Sequence, residues 1–243
     1  VSSKPVIRSL VTILALSLTG AAYADAQDDA IRAKCPSAQA WFERQDAKHP
    51  ELSADAVANE NRHAHFTDPA LRAELRKREE TDVATRNAWI AAGGAQDTAK
   101  AVFQMDRDNI AWMKPLFTRQ GFPTAAQVGR AGVSAAFLLV QHADQDPAFQ
   151  ASMLAALVKA GKGGEIMQAD VAMLTDRVLL ARHKPQRYGT QYDIDQANLA
   201  AMKPQPTEEP AHVDERRASM GLMPRADYEC VLRVTYATSS ATP

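Results

Sequence analysis

The chain predicts a mainly α fold, a single-domain irregular helical bundle that follows an N-terminal signal peptide. Three observations carry that expectation. Apolar residues recur at helical spacing through long Ala-rich stretches, Asp-Pro pairs and Thr stand where those stretches begin, and glycine clusters stand where they end. The boundaries expected are a signal peptide over 1–24, a helical extension over 25–67, a helical domain over 68–236 and a frayed tail over 237–243.

At the N-terminus, Lys4 and Arg8 form a positive region, residues 10–18 a short apolar region, and Ala22-Tyr23-Ala24 a small-x-small cleavage pattern, with Ala24-Asp25-Ala26 as a second candidate. The apolar stretch falls short of the roughly 20 residues that span a bilayer, so no span is expected in the mature chain. Removing residues 1–24 lowers the 28 Lys and Arg to 26 against 29 acids, a net charge of −3. That balance argues against a nucleic-acid partner. The expected location is periplasmic or secreted. There, Cys35 and Cys230 could close one disulfide, with two unrelated thiols as the alternative.

Asp68-Pro69 caps the first long helix and Gly93-Gly94 closes it. A second runs over about 97–120, with Pro115 disturbing it. Gly121-Phe122-Pro123-Thr124 is a turn whose threonine caps an apolar helix ending near Asp144. Asp146-Pro147 opens the next helix, which stops at Gly161-Lys162-Gly163-Gly164; this cluster lacks the spacing of a phosphate loop. A further helix spans about 166–182, and residues 183–210, rich in Pro, Gln and Gly, read as an ordered loop. Pro210 opens a short helix ending at Met220. Val231-Leu232-Arg233-Val234-Thr235-Tyr236 is the one stretch with a strand-like pattern.

Polar residues interrupt the apolar faces of these helices. Leu71, Leu75, Arg78, Asp82, Arg86 and Trp89 share one stripe at about 100° per residue, as do Val102, Asp106, Asn109, Met113, Leu116 and Phe117 on the following helix. Asp82 and Arg86 stand at i, i+4, suited to an ion pair, with a solvated surface bridge as the bland alternative. Gln141-His142-Ala143-Asp144 follows an apolar run, but a helix continuing through it would point His142 and Asp144 about 200° apart. The acid that orients His142 must then come from elsewhere, with Asp106 and Asp176 as candidates. Asp176 and Arg177 sit in a helix apolar nearly all round, and Tyr188-Gly189-Thr190-Gln191 suits a loop that approaches a ligand closely.

The ordered segments Gly-Phe-Pro-Thr (121–124), Val-Gly (128–129), Gln-His-Ala-Asp (141–144), Leu-Thr-Asp-Arg (174–177), Gln-x-Tyr-Gly-Thr-Gln (186–191) and Asp-Glu-Arg-Arg with Gly-Leu (214–222) resemble an uncharacterised bacterial family, a domain of unknown function. The resemblance covers about residues 70–230, with Phe122 where that family often has Trp. It implies no activity.

Two functions fit the residues. In a hydrolase acting on a small anionic substrate, His142 is the general acid or base, with Asp106 or Asp176 its partner. Arg177 with Arg216 or Arg217 holds the anion, and Gln141, Tyr188, Thr190 and Gln191 position the substrate. In a non-catalytic ligand-binding or protein-interaction protein of inhibitor or immunity type, the polar residues are a structural network that includes Asp82, Arg86, Asn109, Asp144 and Asp214. The partner is accordingly an unknown small molecule or an envelope protein. No metal or cofactor is expected, because His63 and His65 at i, i+2 cannot share a helical face and no dense ligand motif is present.

Overall fold

The structure, a computed structural model, describes residues 21–50, 53–63, 65–195 and 198–238. All but the last four residues of the expected signal segment, and the tail beyond 238, lie outside the described residues. The chain is mainly helical, with α1 (Ala21–Lys34), α2 (Pro36–Lys48), α3 (Ala54–His63), α4 (Pro69–Ala91) and α5 (Gln96–Gln120) in its first half. Then come α6 (Ala125–Gln141), α7 (Pro147–Lys162), α8 (Gln168–Ala181), α9 (Val213–Ser219) and α10 (Arg225–Thr238).

Local chemistry sets where the helices begin. The Asp68 side chain accepts from the Leu71 N–H at 2.9 Å and Asp146 from that of Phe149 at 3.0 Å, each with proline at the first helical position. Thr124 and Gln127 form a reciprocal capping box at the start of α6. The helix α5 runs on across Pro115 despite the backbone N–H lost there. The helix α6 is interrupted at Gly129, where φ is +69°. A Cβ at that position would lie 2.5 Å from Arg72 Nη1 and 2.7 Å from the Phe66 ring, so both the backbone and the packing demand glycine.

The helix α4 packs along α5 and α6, α7 along α8, and α10 along α1 and α2. This arrangement creates two apolar clusters. One gathers Leu75, Met113, Phe117, Val128, Phe137, Leu157 and Leu174 from α4 to α8. The other gathers Ile31, Trp89, Val102, Tyr192, Tyr228, Val231 and Tyr236 around α1 and α10. Both α4 and α5 contribute to each cluster from opposite ends, with Asp82, Arg86, Asp106 and Asn109 between.

Two elements differ from the sequence expectation. Residues 231–236 are helical, not a strand. Tyr228, Val231, Leu232 and Thr235 stand at i, i+3, i+4 and i+7 and are all buried, so packing against α1 and α2 overrides the β-branched local preference. Within the loop, β1 (Tyr192–Asp193) and β2 (Lys203–Pro204) pair antiparallel, a small sheet with no hydrophobic alternation to announce it.

Cys35 and Cys230 form a disulfide with Cα atoms 5.9 Å apart, joining the start of α2 to α10 across 195 residues. Closing so long a loop restricts the unfolded chain. Reduction, or the Cys35→Ser/Cys230→Ser double variant, is expected to destabilise the fold by about 2–5 kcal/mol. Urea unfolding with and without reductant measures this, and coincident midpoints would refute it.

Candidate functional site

The polar residues on the inner faces of α4, α5, α6 and α8 meet in a seam between the two apolar clusters. At its centre Asp82, fully buried, has Oδ1 at 2.8 Å from His142 Nδ1 and at 3.1 Å from Arg86 Nε. Arg86 also lies 3.0 Å from His142 Nδ1 and pairs through Nη2 with Asp106. One ring nitrogen cannot accept from Arg86 and donate to Asp82 at once. The shorter contact and the charge on Asp82 assign the proton to Nδ1, which donates to Asp82, while Arg86 Nε donates to the same carboxylate.

The electrostatics follow from this geometry. Burial opposes the charged form of Asp82, yet His142 and Arg86 together hold its carboxyl below the usual range. Burial, with Arg86 adding to it, pushes the His142 imidazolium down, so the ring is neutral and its lone pair is at Nε2. Burial outweighs Arg86 at Asp106, whose carboxyl rises from 3.8 to about 6. Glu79, three residues before Asp82 and 3% exposed, is likewise raised by burial to about 7 despite its pairing with Arg76.

The helix α6 ends at Gln141, and the His142 and Asp144 side chains serve different partners. Arg177, its side chain 1% exposed, donates from Nη1 to both Asp144 oxygens at 2.7 and 2.6 Å. Asp144 is 46% exposed and forms the water-side end of the pair. Gln150 braces the junction, donating to the Gln141 carbonyl at 2.9 Å and to Asp144 at 3.0 Å. Arg177 Nε and Nη2 have no hydrogen-bond partner among the described residues.

Asp176 does not reach His142; it organises the loop after α8. Its Oδ1 accepts from the Arg187 and Tyr188 N–H groups at 2.7 and 2.9 Å, and its Oδ2 from the Thr190 N–H and hydroxyl at 3.0 and 2.9 Å. Burial nonetheless raises its carboxyl above the usual range. The carbonyls of the same loop are held from the other side. Arg217, fully buried, donates to Tyr188 O at 2.9 Å, Gly189 O at 3.1 Å and Met223 O at 2.6 Å, and Tyr228 donates to Thr190 O at 3.2 Å. Gln186 binds both backbone groups of Gln191, at 2.8 and 2.9 Å, and Gln191 Nε2 donates to Thr190 Oγ1 at 2.7 Å. Thus a buried loop has its main-chain polar groups met by side chains, as burial requires. Arg216 donates to Arg187 O at 2.7 Å, and Asp214 accepts from the Arg225 N–H at 2.7 Å.

A family model described as a family of unknown function (DUF6624) matches residues 69–240. The chain belongs to this family. No curated protein and no solved structure matches the chain. The DUF6624 match spans α4 to α10 and so takes in the entire seam, while α1 to α3 lie before it.

Of the residues singled out in the sequence, Asp82, Arg86, Asp106 and His142 come together, Asp144 joins Arg177 beside them, and Asp176, Tyr188, Thr190, Gln191 and Arg217 form the adjoining loop module. Asn109 lies further along the same stripe, accepting from Arg78 at 3.0 Å. The acid on His142 is Asp82, not Asp106 or Asp176 as the sequence suggested. Gln186 belongs to the Gln-x-Tyr-Gly-Thr-Gln segment, while Gln150, Tyr228 and Glu79 are not among the residues the sequence singles out. Gln150 carries a signal, standing at i, i+3, i+7 with Met153 and Leu157 on a buried face, as does Tyr228 with Val231, Leu232 and Thr235. Among the described residues no group of His, Cys, Asp or Glu is arranged to hold a metal ion. Two surface depressions, of about 530 Å³ between α4 and α5 and about 290 Å³ between α2 and the turn after α9, are lined by neither His142, Arg177 nor Asp176.

Two outcomes follow from the buried carboxylates. Because folding raises the Asp106 carboxyl from 3.8 to about 6, its contribution is full below the lower value and lost as pH rises through the upper. Between these limits the stability of wild type relative to Asp106→Asn should fall by roughly 1–3 kcal/mol; a pH-independent difference in chemical unfolding would contradict this. Asp176→Asn places an amide against N–H donors and should cost about 2–4 kcal/mol. Faster hydrogen exchange at Tyr188 and Thr190 is the readout, and unchanged protection would count against the loop-anchoring role.

Proposed function

We propose that the protein is a non-catalytic, extracytoplasmic binding protein whose charged seam sets the register of its helices. The observation that carries this is the internal commitment of the seam: Asp82, Asp106, Asp144 and Asp176 each hold a partner supplied by the fold. The two surface depressions take in Asn109 and Asp214 at their edges but none of these four carboxylates. A polar network between two apolar clusters discriminates against helix slippage, because a one-turn shift would strand buried charges. The disulfide suits an oxidising compartment, and Lys4, Arg8 and Ala22-Tyr23-Ala24 fit export to the periplasm or beyond.

A hydrolase acting on a small anionic substrate is the second reading. It is favoured by one observation, the neutral His142 oriented by Asp82 near Arg177, whose Nε and Nη2 lack partners among the described residues. There His142 acts as base through Nε2, and Arg177 receives the anion with Gln141, Tyr188, Thr190 and Gln191 around it. Asp106 and Asp176 are then supporting acids, and Arg216 and Arg217 rim the loop.

His142→Gln separates the two. The binding reading expects a lower unfolding midpoint and no turnover of small phosphate or carboxylate esters by wild type above the variant's background. Turnover by wild type that disappears in a folded His142→Gln protein would sink it.

A further inference from the structure

The depression of about 290 Å³ lies between α2 and the turn that links α9 to α10. Trp41, Arg44, Gln45 and Lys48 line one wall at i, i+3, i+4 and i+7, a single helical face. Leu222 and Pro224 line the other. Trp41 is half-buried and meets the Phe42 ring edge-on at 5.5 Å between centroids, leaving an apolar floor. Arg44 and Lys48 are exposed and form no ion pair among the described residues. Asp214 is the one acid in the lining, and its Oδ1 is occupied by the Arg225 N–H at 2.7 Å.

The walls are held in place by the chain itself. The Cys35–Cys230 bond ties the start of α2 to α10, and Ser37 donates to Asp227 on the first turn of α10. A cleft fixed in advance loses little freedom when a ligand enters. Its volume is at the small end for ligand sites and admits one ring-sized body. Two exposed cations that form no ion pair among the described residues, beside an apolar floor, ask for an anion carried on an apolar group.

We propose that this cleft binds a small organic carboxylate, its ring or alkyl body on Trp41 and Leu222 and its carboxylate between Arg44 and Lys48. This inference rests on the reading of the protein as a binder and assigns that role to one surface. It also joins α2, which precedes the family match, to α9 and α10 within it. Because the cations are exposed, their attraction is modest and weakens with salt, so the apolar contact must supply part of the affinity.

Titration of the disulfide-bonded protein with 3-phenylpropionate, followed by calorimetry or NMR, tests it. Saturable binding is expected at about 1 mM or tighter, with 3-phenylpropanol and acetate each at least about tenfold weaker. The exposed double variant Arg44→Gln/Lys48→Gln should weaken the carboxylate by about tenfold and leave the alcohol unchanged, and reducing the disulfide should weaken both. No saturation by about 10 mM, equal affinity for acetate, or an unaffected charge variant would overturn the cleft. Failure here leaves the His142 result untouched, whereas turnover lost in His142→Gln refutes the non-catalytic reading without altering binding at the cleft.

Discussion

A carboxylate with no water around it must be stabilised by its neighbours, and Asp82 imposes that requirement on three helices at once. It projects from α4 into the space between two apolar clusters and accepts hydrogen bonds from His142 just past the end of α6 and from Arg86 on its own helix. Arg86 then reaches Asp106 on α5. Displacing any one of these groups removes a partner from a buried charge in a medium that screens it poorly. The crossing of α4, α5 and α6 is thereby specified more narrowly than apolar packing would specify it, since apolar contacts tolerate small sliding while hydrogen bonds do not.

The same logic recurs at Asp176 with backbone in place of side chains. A loop through a protein interior would ordinarily leave N–H and C=O groups without water, which is why loops run over surfaces. Here Asp176 receives the donors of Arg187, Tyr188 and Thr190, while Arg217 and Tyr228 cover the acceptors. Gly189, at φ +63°, lets the chain turn under Val213, whose Cγ2 would sit 3.2 Å from a Cβ there. The charged side chains of this module thus substitute for a helix or sheet ladder. Anion or substrate recognition by Arg217 would have to compete with three main-chain carbonyls.

Function and stability therefore occupy different places in this reading of the molecule. The family match covers the seam, where side chains answer one another. The cleft against α2 has the opposite character, with a half-buried tryptophan and two exposed cations that form no ion pair among the described residues. Among the described residues no helix is long and apolar enough to cross a membrane, and the disulfide that braces the cleft suits an oxidising compartment.

Features decided by neighbouring residues were legible in the sequence. Asp68, Thr124 and Asp146 cap their helices as expected because a cap needs only the next turn of chain. The Asp82–Arg86 spacing follows from helical periodicity in the same way, whereas α6 stops at Gln141 and the separate pairings of His142 and Asp144 arise in the turn beyond it. Partner choice over distance was not legible: His142 pairs with an acid 60 residues away, and spacing could not rank Asp82 above Asp106 or Asp176. Whether the Asp82–Arg86 bridge was solvated or buried, and whether residues 231–236 were strand or helix, likewise depended on what packed against them. The sequence by itself determined the helical class, the caps and which faces carried polar groups, since those arise within a turn or two of backbone. Only the tertiary structure decided that the polar faces close on one another and that Cys35 meets Cys230, because burial and long-range pairing exist only once the helices are assembled.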